Sequence, residues 1–174
     1  MDEHPSEFLG IELGPMDTKR RNKLVLSAFL IVTLGVGALS SIFTEPNVMG
    51  WYASLARPSF DPPYWVFPPV WTTLYALMAV SAWRVWRLSG FHNAAMALYA
   101  IQLALNFAWS FIFFGAHRIE LALVEILLLL VFILVTTIAF FRRETVACLL
   151  FLPYLGWVAF AAYLNYAIWR LNGA

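Results

Sequence analysis

Two stretches of the sequence carry amide and indole side chains at the spacing of one helix face. The first stripe contains one glutamine, one asparagine and two aromatic rings: Gln102, Asn106, Trp109 and Phe113. Side chains separated by three or four residues lie on the same face of an α-helix. Amides exchange hydrogen bonds, and indoles present flat apolar rings with a single N–H donor. This chemistry favours either contact between helices or retention of a planar apolar molecule.

The second stripe repeats this combination near the C-terminus. It contains Trp157, Ala161, Asn165 and Ile168, and Pro153 and Tyr154 lie one turn earlier. The small Ala161 side chain leaves room for a flat apolar ligand between the indole and the amide. Polar groups inside a membrane must face the protein interior or a cavity. Two such stripes facing each other therefore form either a hydrogen-bonded helix contact or a pocket, and the pattern alone leaves both open.

Familiar catalytic constellations are missing from the sequence. It contains no glycine-rich phosphate loop, no Ser/His/Asp set and no cluster of metal ligands. The three histidines, His4, His92 and His117, lack ligand spacing, and the single cysteine, Cys148, lies within apolar sequence. We therefore expect no metal site and no obligatory cofactor, and the sequence does not favour a hydrolase, a kinase or a pump.

Glu125 is the one acidic residue well inside an apolar stretch. A charged carboxylate there would be costly, so the residue is expected to be neutral, paired or near a helix end. The sequence leaves open whether its role is structural or concerns a proton or a ligand.

The elements that position these residues follow from the composition. Hydrophobic residues make up 62% of the 174 residues, charged residues make up 12%, and the net charge is +1. This charged fraction is about half that of an ordinary soluble domain. The chain is therefore predicted to be an integral membrane protein, and the small net charge argues against a nucleic-acid partner.

Five apolar stretches have the roughly 20 residues needed to cross a bilayer. They are 24–43, 69–86, 94–114, 119–141 and 146–169. Backbone groups in a bilayer must bond within their own segment, so each stretch is predicted to be a helix. The predicted fold is an all-α bundle of five transmembrane helices formed by residues 23–174, preceded by a flexible polar tail at 1–22.

The distribution of Lys and Arg predicts the orientation. With five spans, one side receives eight basic residues: Lys19, Arg20, Arg21, Lys23, Arg84, Arg87, Arg142 and Arg143. The other side receives Arg57, Arg118 and Arg170. Basic residues accumulate in cytoplasmic connections, which predicts a cytoplasmic N-terminus.

The connection between the first two spans is rich in proline and aromatic residues. Its segment 57–71 reads "RPSFDPPYWVFPPVW". Proline restricts its own backbone and that of the preceding residue, so this connection is expected to be stiff. Its rings form either an interfacial belt that anchors helix ends or a rigid lid over the mouth of the bundle.

Two weaker patterns concern surfaces of the bundle. Ala100, Ala104 and Ala108 recur every four residues, which allows close helix packing inside the monomer or at a homodimer seam. Leu164, Tyr166 and Arg170 fit a loose sterol-contact pattern. Tyr166 and Arg170 are explained equally well as anchors at the membrane surface.

Three long blocks together resemble the TspO/MBR family of tryptophan-rich sensory and translocator proteins. They are "WYASLARPSFDPPYWVFPPVWTTLYALM" (51–78), "QLALNFAWSFIFFG" (102–115) and "PYLGWVAFAAYLNYAIWRLN" (153–172). The resemblance extends over nearly the whole chain from Leu24 onward. It implies a five-helix bundle, usually dimeric, whose pocket opens toward the first connection. It also implies a multi-pass protein of a bacterial cell membrane.

The resemblance also implies a ligand and its site. Members of the family bind porphyrins such as protoporphyrin IX, and animal relatives bind cholesterol and drug-like molecules. Eleven positions here are the expected ligand-binding residues: Trp51, Phe67, Pro68, Trp71, Asn106, Trp109, Tyr154, Trp157, Ala161, Leu164 and Asn165. The two asparagines would orient polar groups of the ligand or fix the helices around it.

The expected function is therefore that of a membrane receptor or sensor for a tetrapyrrole, with a role in tetrapyrrole regulation or stress. One alternative is a transporter of porphyrin or lipid-like cargo, although no internal repeat supports alternating access. Another is light- and oxygen-dependent porphyrin breakdown, in which Trp51 and Trp157 would be the catalytic candidates. The sequence alone does not favour an enzyme.

Overall fold

The protein folds into five long helices in a computed structural model that describes residues 17–173. The helices are α1 (Thr18–Asn47), α2 (Phe67–Ser89), α3 (Ala94–Ser110), α4 (Ile119–Phe141) and α5 (Thr145–Asn172). A π-helical turn extends α1 over Val48–Tyr52, and a second extends α3 over Phe111–Gly115. A short 3₁₀ turn, Tyr64–Val66, leads into α2.

All five helical segments are long and apolar enough to cross a membrane. Each satisfies its backbone hydrogen bonds within itself, as a bilayer requires. The all-α, five-span prediction is confirmed, and the protein is a multi-pass membrane protein. The prediction of a flexible tail falls mostly on residues outside the described range.

The first helix is longer than its apolar stretch predicted. It begins at Thr18, where the Asp17 side chain accepts a hydrogen bond from the Lys19 amide at 3.2 Å. Lysine and arginine are good helix formers, so the basic residues after this cap continue the helix beyond the apolar run. At the other end Pro46 lies inside the last turn of α1, and the π turn follows directly. Proline cannot donate to the helix ladder, and a π turn is one way of accommodating that disruption.

Helices that follow each other in the chain run antiparallel, and all five surround one continuous interior. Helix α1 contacts α2 and α3, helix α2 also contacts α5, and α4 lies between α3 and α5. The largest buried cluster is at the end of the bundle where α1 and α5 begin, and it includes Met78, Ala82 and Phe140. A smaller cluster around Phe113 and Ile168 lies toward the opposite end. The space between these two clusters contains the principal cavity.

Candidate ligand-binding site

A cavity of about 590 Å³ lies between α1, α2, α3 and α5, beside the proline-rich connection. Nine aromatic side chains dominate its wall: Tyr52, Tyr64, Phe67, Trp71, Tyr75, Trp109, Phe113, Phe114 and Trp157. Among the described residues, the charged side chains in the wall are Glu45 and Arg57. Pockets for small molecules typically measure about 300–1,000 Å³ and are mainly apolar with a few polar groups. The cavity therefore has the size and chemistry of a site for an apolar ligand.

Helix α1 provides the small side chains of this wall. Gly37, Ala38, Ser41 and Thr44 all line the cavity. Gly37 is required by the packing, because a Cβ atom there would lie 2.5 Å from Cε2 of Tyr75. The absence of a side chain at Gly37 thus lets the Tyr75 ring lie flat against α1.

A chain of hydrogen bonds runs behind the cavity wall and joins three helices. The Tyr75 hydroxyl donates to Asn106 Oδ1 at 2.5 Å, and Asn106 Nδ2 donates to the Tyr154 hydroxyl at 3.1 Å. The Tyr154 hydroxyl in turn donates to Gln102 Oε1 at 3.0 Å. All four side chains are buried. Satisfied networks of this kind rigidify an interior, so this chain fixes α2, α3 and α5 relative to one another.

A second set of bonds holds an indole of the wall in place. Trp109 Nε1 donates to Asn165 Oδ1 at 3.2 Å, and Asn165 Nδ2 donates to the Ile119 carbonyl at 3.1 Å. The Trp109 ring also stacks on Phe113, with ring centroids 5.2 Å apart. The ring face of Trp109 is thereby fixed on the cavity side while its N–H is used by the protein.

Trp157 differs from Trp109 in its hydrogen bonding. Its Nε1 atom is buried and has no hydrogen-bond partner among residues 17–173. The Phe67 ring packs edge-on against it, with centroids 5.9 Å apart. Trp157 lines the cavity with its ring, whereas the Nε1 atom itself is enclosed by protein. Buried indole N–H groups usually have a partner, so this donor is an unsatisfied polar group behind the cavity wall.

The connection between α1 and α2 is held in place by polar contacts at both ends. The Asp61 carboxylate accepts from the Tyr52 hydroxyl at 2.9 Å and from Arg57 Nη1 at 2.7 Å. The Asn172 side chain bonds to both backbone groups of Ala56, each at 2.9 Å. These contacts hold the connection to α1 and α5 beside the cavity.

The lid and belt interpretations of this connection each describe part of it. Phe67 and Pro68 line the cavity, as a lid requires. Trp65 is 72% exposed and does not line the cavity, which suits an anchor at the membrane surface. The two roles are therefore divided between neighbouring residues.

Eight of the eleven expected ligand-binding residues lie together in the cavity wall: Phe67, Pro68, Trp71, Trp109, Trp157, Ala161, Leu164 and Asn165. The other three, Trp51, Asn106 and Tyr154, do not line it. Asn106 and Tyr154 lie behind Tyr75, where their polar groups bond to each other and to neighbouring helices.

Trp51 is directed away from the cavity by the π turn at the end of α1. Its ring stacks on His117 at a centroid distance of 4.2 Å and meets the edge of Phe113 at 5.5 Å. The next residue, Tyr52, lines the cavity instead. The widened turn changes which residue faces inward, and the sequence pattern did not reveal this change.

The weaker surface patterns are also distributed over different faces. Leu164 is buried in the cavity wall, whereas Tyr166 is 43% exposed and lies on the outside of α5 with Arg170. The three residues of the sterol-like pattern therefore do not share one surface. Ala100 and Ala104 are exposed and Ala108 is half-buried on α3, and a homodimer seam there stays a prediction.

Glu125 lies in α4, outside the cavity wall. Both of its carboxyl oxygens are buried and have no hydrogen-bond partner within residues 17–173. An ionised carboxylate without a partner inside a membrane is strongly disfavoured. We therefore expect the side chain to be a neutral acid.

The cavity wall includes residues outside the eleven expected ligand-binding positions. Tyr75 follows Trp71 by four residues, and this helical spacing was a usable signal. The small residues of α1 form a comparable signal between Gly37 and Thr44. Phe113 belongs to the first stripe predicted from the sequence, whereas Tyr52 reaches the wall from the π turn after α1, for which the sequence pattern gave no clear indication.

The fold and the cavity define a class of protein: a five-span membrane protein with an aromatic-lined site for a small hydrophobic ligand. Comparison with known proteins identifies the family. Residues 28–170 match the TspO/MBR family, and the chain belongs to that family.

Curated relatives cover most of this chain. It is 43% identical over 157 residues to the tryptophan-rich protein TspO of Chlorobaculum tepidum, which covers 87% of this chain and 99% of that protein. It is 44% identical over 138 residues to the human translocator protein, covering 77% of this chain and 82% of the relative. It is 41% identical over 142 residues to the tryptophan-rich sensory protein of Cereibacter sphaeroides, and the match covers 82% of this chain and 88% of that protein.

Proposed function

We propose that this protein is a membrane receptor or sensor that binds a planar tetrapyrrole of the protoporphyrin IX type in the aromatic cavity. The observation that carries the proposal is the wall itself, which joins the rings of Trp71, Trp109 and Trp157 around about 590 Å³. A flat macrocycle buries much apolar area in such a space.

Affinity would come mainly from burial of the apolar macrocycle. Each Å² of apolar surface removed from water contributes roughly 25 cal/mol, and each good aromatic contact adds about 0.5–1.5 kcal/mol. The hydrogen bonds of Tyr75, Asn106 and Asn165 hold the wall in shape before the ligand arrives. A preformed site loses less conformational entropy on binding.

Quenching of tryptophan fluorescence by protoporphyrin IX tests this proposal. Trp109→Ala and Trp157→Ala are each expected to weaken binding at least tenfold, about 1.4 kcal/mol, because each removes a ring face from the wall. Trp65→Ala is the matched control, since Trp65 is exposed and outside the wall. Circular dichroism checks that each variant keeps its helices. Wild-type affinity in both cavity variants would show that the ligand binds elsewhere or not at all.

Light-dependent breakdown of the bound pigment is a second candidate, favoured by the position of Trp157. Its indole borders the cavity, whereas Trp51 is separated from it and packs on Phe113. Under light and oxygen, Trp157→Phe is expected to slow product formation while binding is largely retained. Trp51→Phe is expected to leave product formation unchanged. Equal product yield in the wild type and in both variants would indicate photochemistry of the pigment without participation of either indole.

We also propose that the cavity lies toward the non-cytoplasmic side. Eight lysines and arginines lie at the end of the bundle where α1 begins, and three lie at the end that carries the proline-rich connection. Because Cys148 is the sole cysteine, a Cys148→Ser background with Ser59→Cys reports the side of the connection by labelling with a membrane-impermeant thiol reagent. Labelling only after the membrane is opened would reverse the proposed orientation.

A further inference from the structure

A second concave surface lies on the outer side of α5 and is distinct from the aromatic cavity. We call it the outer groove; Arg57, Ser59, Tyr163, Tyr166, Arg170 and Leu171 line it. The proline-rich connection forms one side, and the last two turns of α5 form the other. Arg57 is the only one of these six residues that also borders the cavity.

The outer groove carries a positive charge that the protein balances only in part. Arg57 uses Nη1 to bond to Asp61 at 2.7 Å. A guanidinium has five N–H donors, so one such bond leaves further donors for another acceptor. Arg170 forms no ion pair within residues 17–173. None of the described residues that line the groove is acidic.

The groove has a polar end and an apolar end. Arg170 lies in the last turn of α5, near the helix end at Asn172. Tyr163 lies seven residues earlier, about 10 Å along the helix axis, and is 58% exposed. Leu171, which follows Arg170, is also exposed and adds apolar surface at the arginine end. This order matches a membrane boundary, with the arginines at headgroup depth and the rings alongside acyl chains.

We propose that the outer groove binds an anionic phospholipid of the leaflet on the side of the proline-rich connection. Arg170 and Arg57 bind the headgroup phosphate, and Tyr163 and Tyr166 contact the upper acyl chains. Arginine is suited to this task because its planar donors match the geometry of phosphate oxygens. With no acidic residue in its wall, the groove lacks a partner for the ammonium group of a zwitterionic choline headgroup.

A lipid bound in this way links the connection to α5. Arg57 belongs to the connection and Arg170 to the helix, so one phosphate bridges the two elements. The bridge adds to the two hydrogen bonds between Asn172 and Ala56. The bound lipid therefore stabilises the position of the connection beside the cavity.

Native mass spectrometry of the full-length protein with added phosphatidylglycerol or phosphatidylcholine tests the proposal. We expect preferential retention of phosphatidylglycerol, reduced about tenfold by Arg170→Gln because a charge-assisted hydrogen bond is lost. Arg118→Gln is the matched control: Arg118 is exposed at the same end of the bundle and lies outside the groove. Equal retention by Arg170→Gln and wild type, or no preference between the two lipids, would overturn the proposal.

Two competition arms identify the ligand more closely. Inorganic phosphate at millimolar concentration is expected to displace little phosphatidylglycerol, because it makes no acyl contacts. Displacement by phosphate alone would show a simple anion site, and displacement by cholesterol would show a sterol site; either result would contradict the lipid assignment. Protoporphyrin binding by Arg170→Gln in lipid-free detergent is expected to equal that of wild type, so the result is independent of the proposed function.

Discussion

The same helices are closely packed at one end of the bundle and surround a cavity at the other. At the end where α1 and α5 begin, which we call the packed half, Ala82 and Val85 of α2 are fully buried and belong to one core cluster with Phe140 and Ala147. At the other end, which we call the cavity half, α2 presents Trp71 and Tyr75 to an internal space. Small side chains let helices approach closely, whereas rings held by hydrogen bonds line a gap.

This difference indicates that two sets of contacts hold the helices that surround the cavity in position. The packed half fixes the helices at one end. In the cavity half, the chain of Tyr75, Asn106 and Tyr154 fixes their spacing through hydrogen bonds. Substitutions in the packed half should therefore affect mainly stability, and substitutions in the cavity half should affect mainly ligand binding.

The strongest test removes a large ring from the packed half. Phe140→Ala is expected to lower the free energy of unfolding by about 3–5 kcal/mol, because a fully buried phenylalanine leaves a cavity. The measurement is denaturant unfolding in detergent micelles followed by circular dichroism. Phe141→Ala is the matched control, since this neighbour is 60% exposed and should change stability little. Equal losses in both variants would contradict the assignment of Phe140 to a close-packed core.

The next test overfills the cavity half. A methyl group in Gly37→Ala collides with the Tyr75 ring, and overpacking of this kind costs typically about 1–3 kcal/mol. Displacement of Tyr75 also breaks its bond to Asn106, so protoporphyrin binding is expected to weaken by about tenfold. Gly35→Ala is the control, because a Cβ atom there meets nothing within 4 Å. If the Gly37→Ala and Gly35→Ala variants bind protoporphyrin with equal affinity, the absence of a side chain at Gly37 does not determine the position of Tyr75.

The third test removes a single hydroxyl from the hydrogen-bonded chain and leaves the ring of the cavity wall in place. Tyr75→Phe leaves Asn106 Oδ1 without its donor and is expected to cost about 1–3 kcal/mol of stability. Tyr163→Phe serves as the control, because Tyr163 is exposed and its hydroxyl has no protein partner within the described part of the chain. Unchanged stability in Tyr75→Phe would mean that the chain does not hold the helices.

The smallest effect concerns an ion pair at the edge of the packed half. Glu144 caps α5 by accepting from the Ala147 amide at 2.8 Å, and it also accepts from the Arg84 guanidinium. The bond to Arg84 is the main cause that lowers the pKa of Glu144 below its ordinary value of 4.5. Because the folded-state pKa is depressed, this stabilisation is present above pH 4.5 and is lost as the pH falls through the lower folded value.

Glu144→Gln isolates this contribution. Wild-type stability is expected to decline below about pH 4.5 by a few tenths to 1 kcal/mol more than that of the variant, the range of exposed ion pairs. The readout is the unfolding midpoint in micelles at a series of pH values. Parallel acid profiles for the two proteins would assign the decline to other carboxyl groups.

Much of the architecture was predictable because a membrane imposes simple rules. Apolar runs near 20 residues must be helices, and the stripes containing Trp109 and Trp157 followed helical spacing. The cavity wall indeed contains Trp71, Trp109, Trp157 and Asn165. The sequence is compatible with two uses of the asparagines, contact with a ligand or contact between helices. The structure shows both engaged in bonds between protein groups: Asn106 with Tyr75 and Tyr154, and Asn165 with Trp109 and Ile119.

By itself, the sequence determined the number of spans, the helical faces that carry rings and amides, and the stiffness of the first connection. These properties depend on the spacing of residues within one segment and on the apolar character of the bilayer. Both can be judged from the order of residues in the chain. Only the tertiary structure decided that Tyr52 rather than Trp51 lines the cavity, that Asn106 lies behind the wall, and that Gly37 accommodates Tyr75. The physical reason is that each of these outcomes depends on a π turn or on contacts between distant helices, and neither is encoded in the periodicity of one segment.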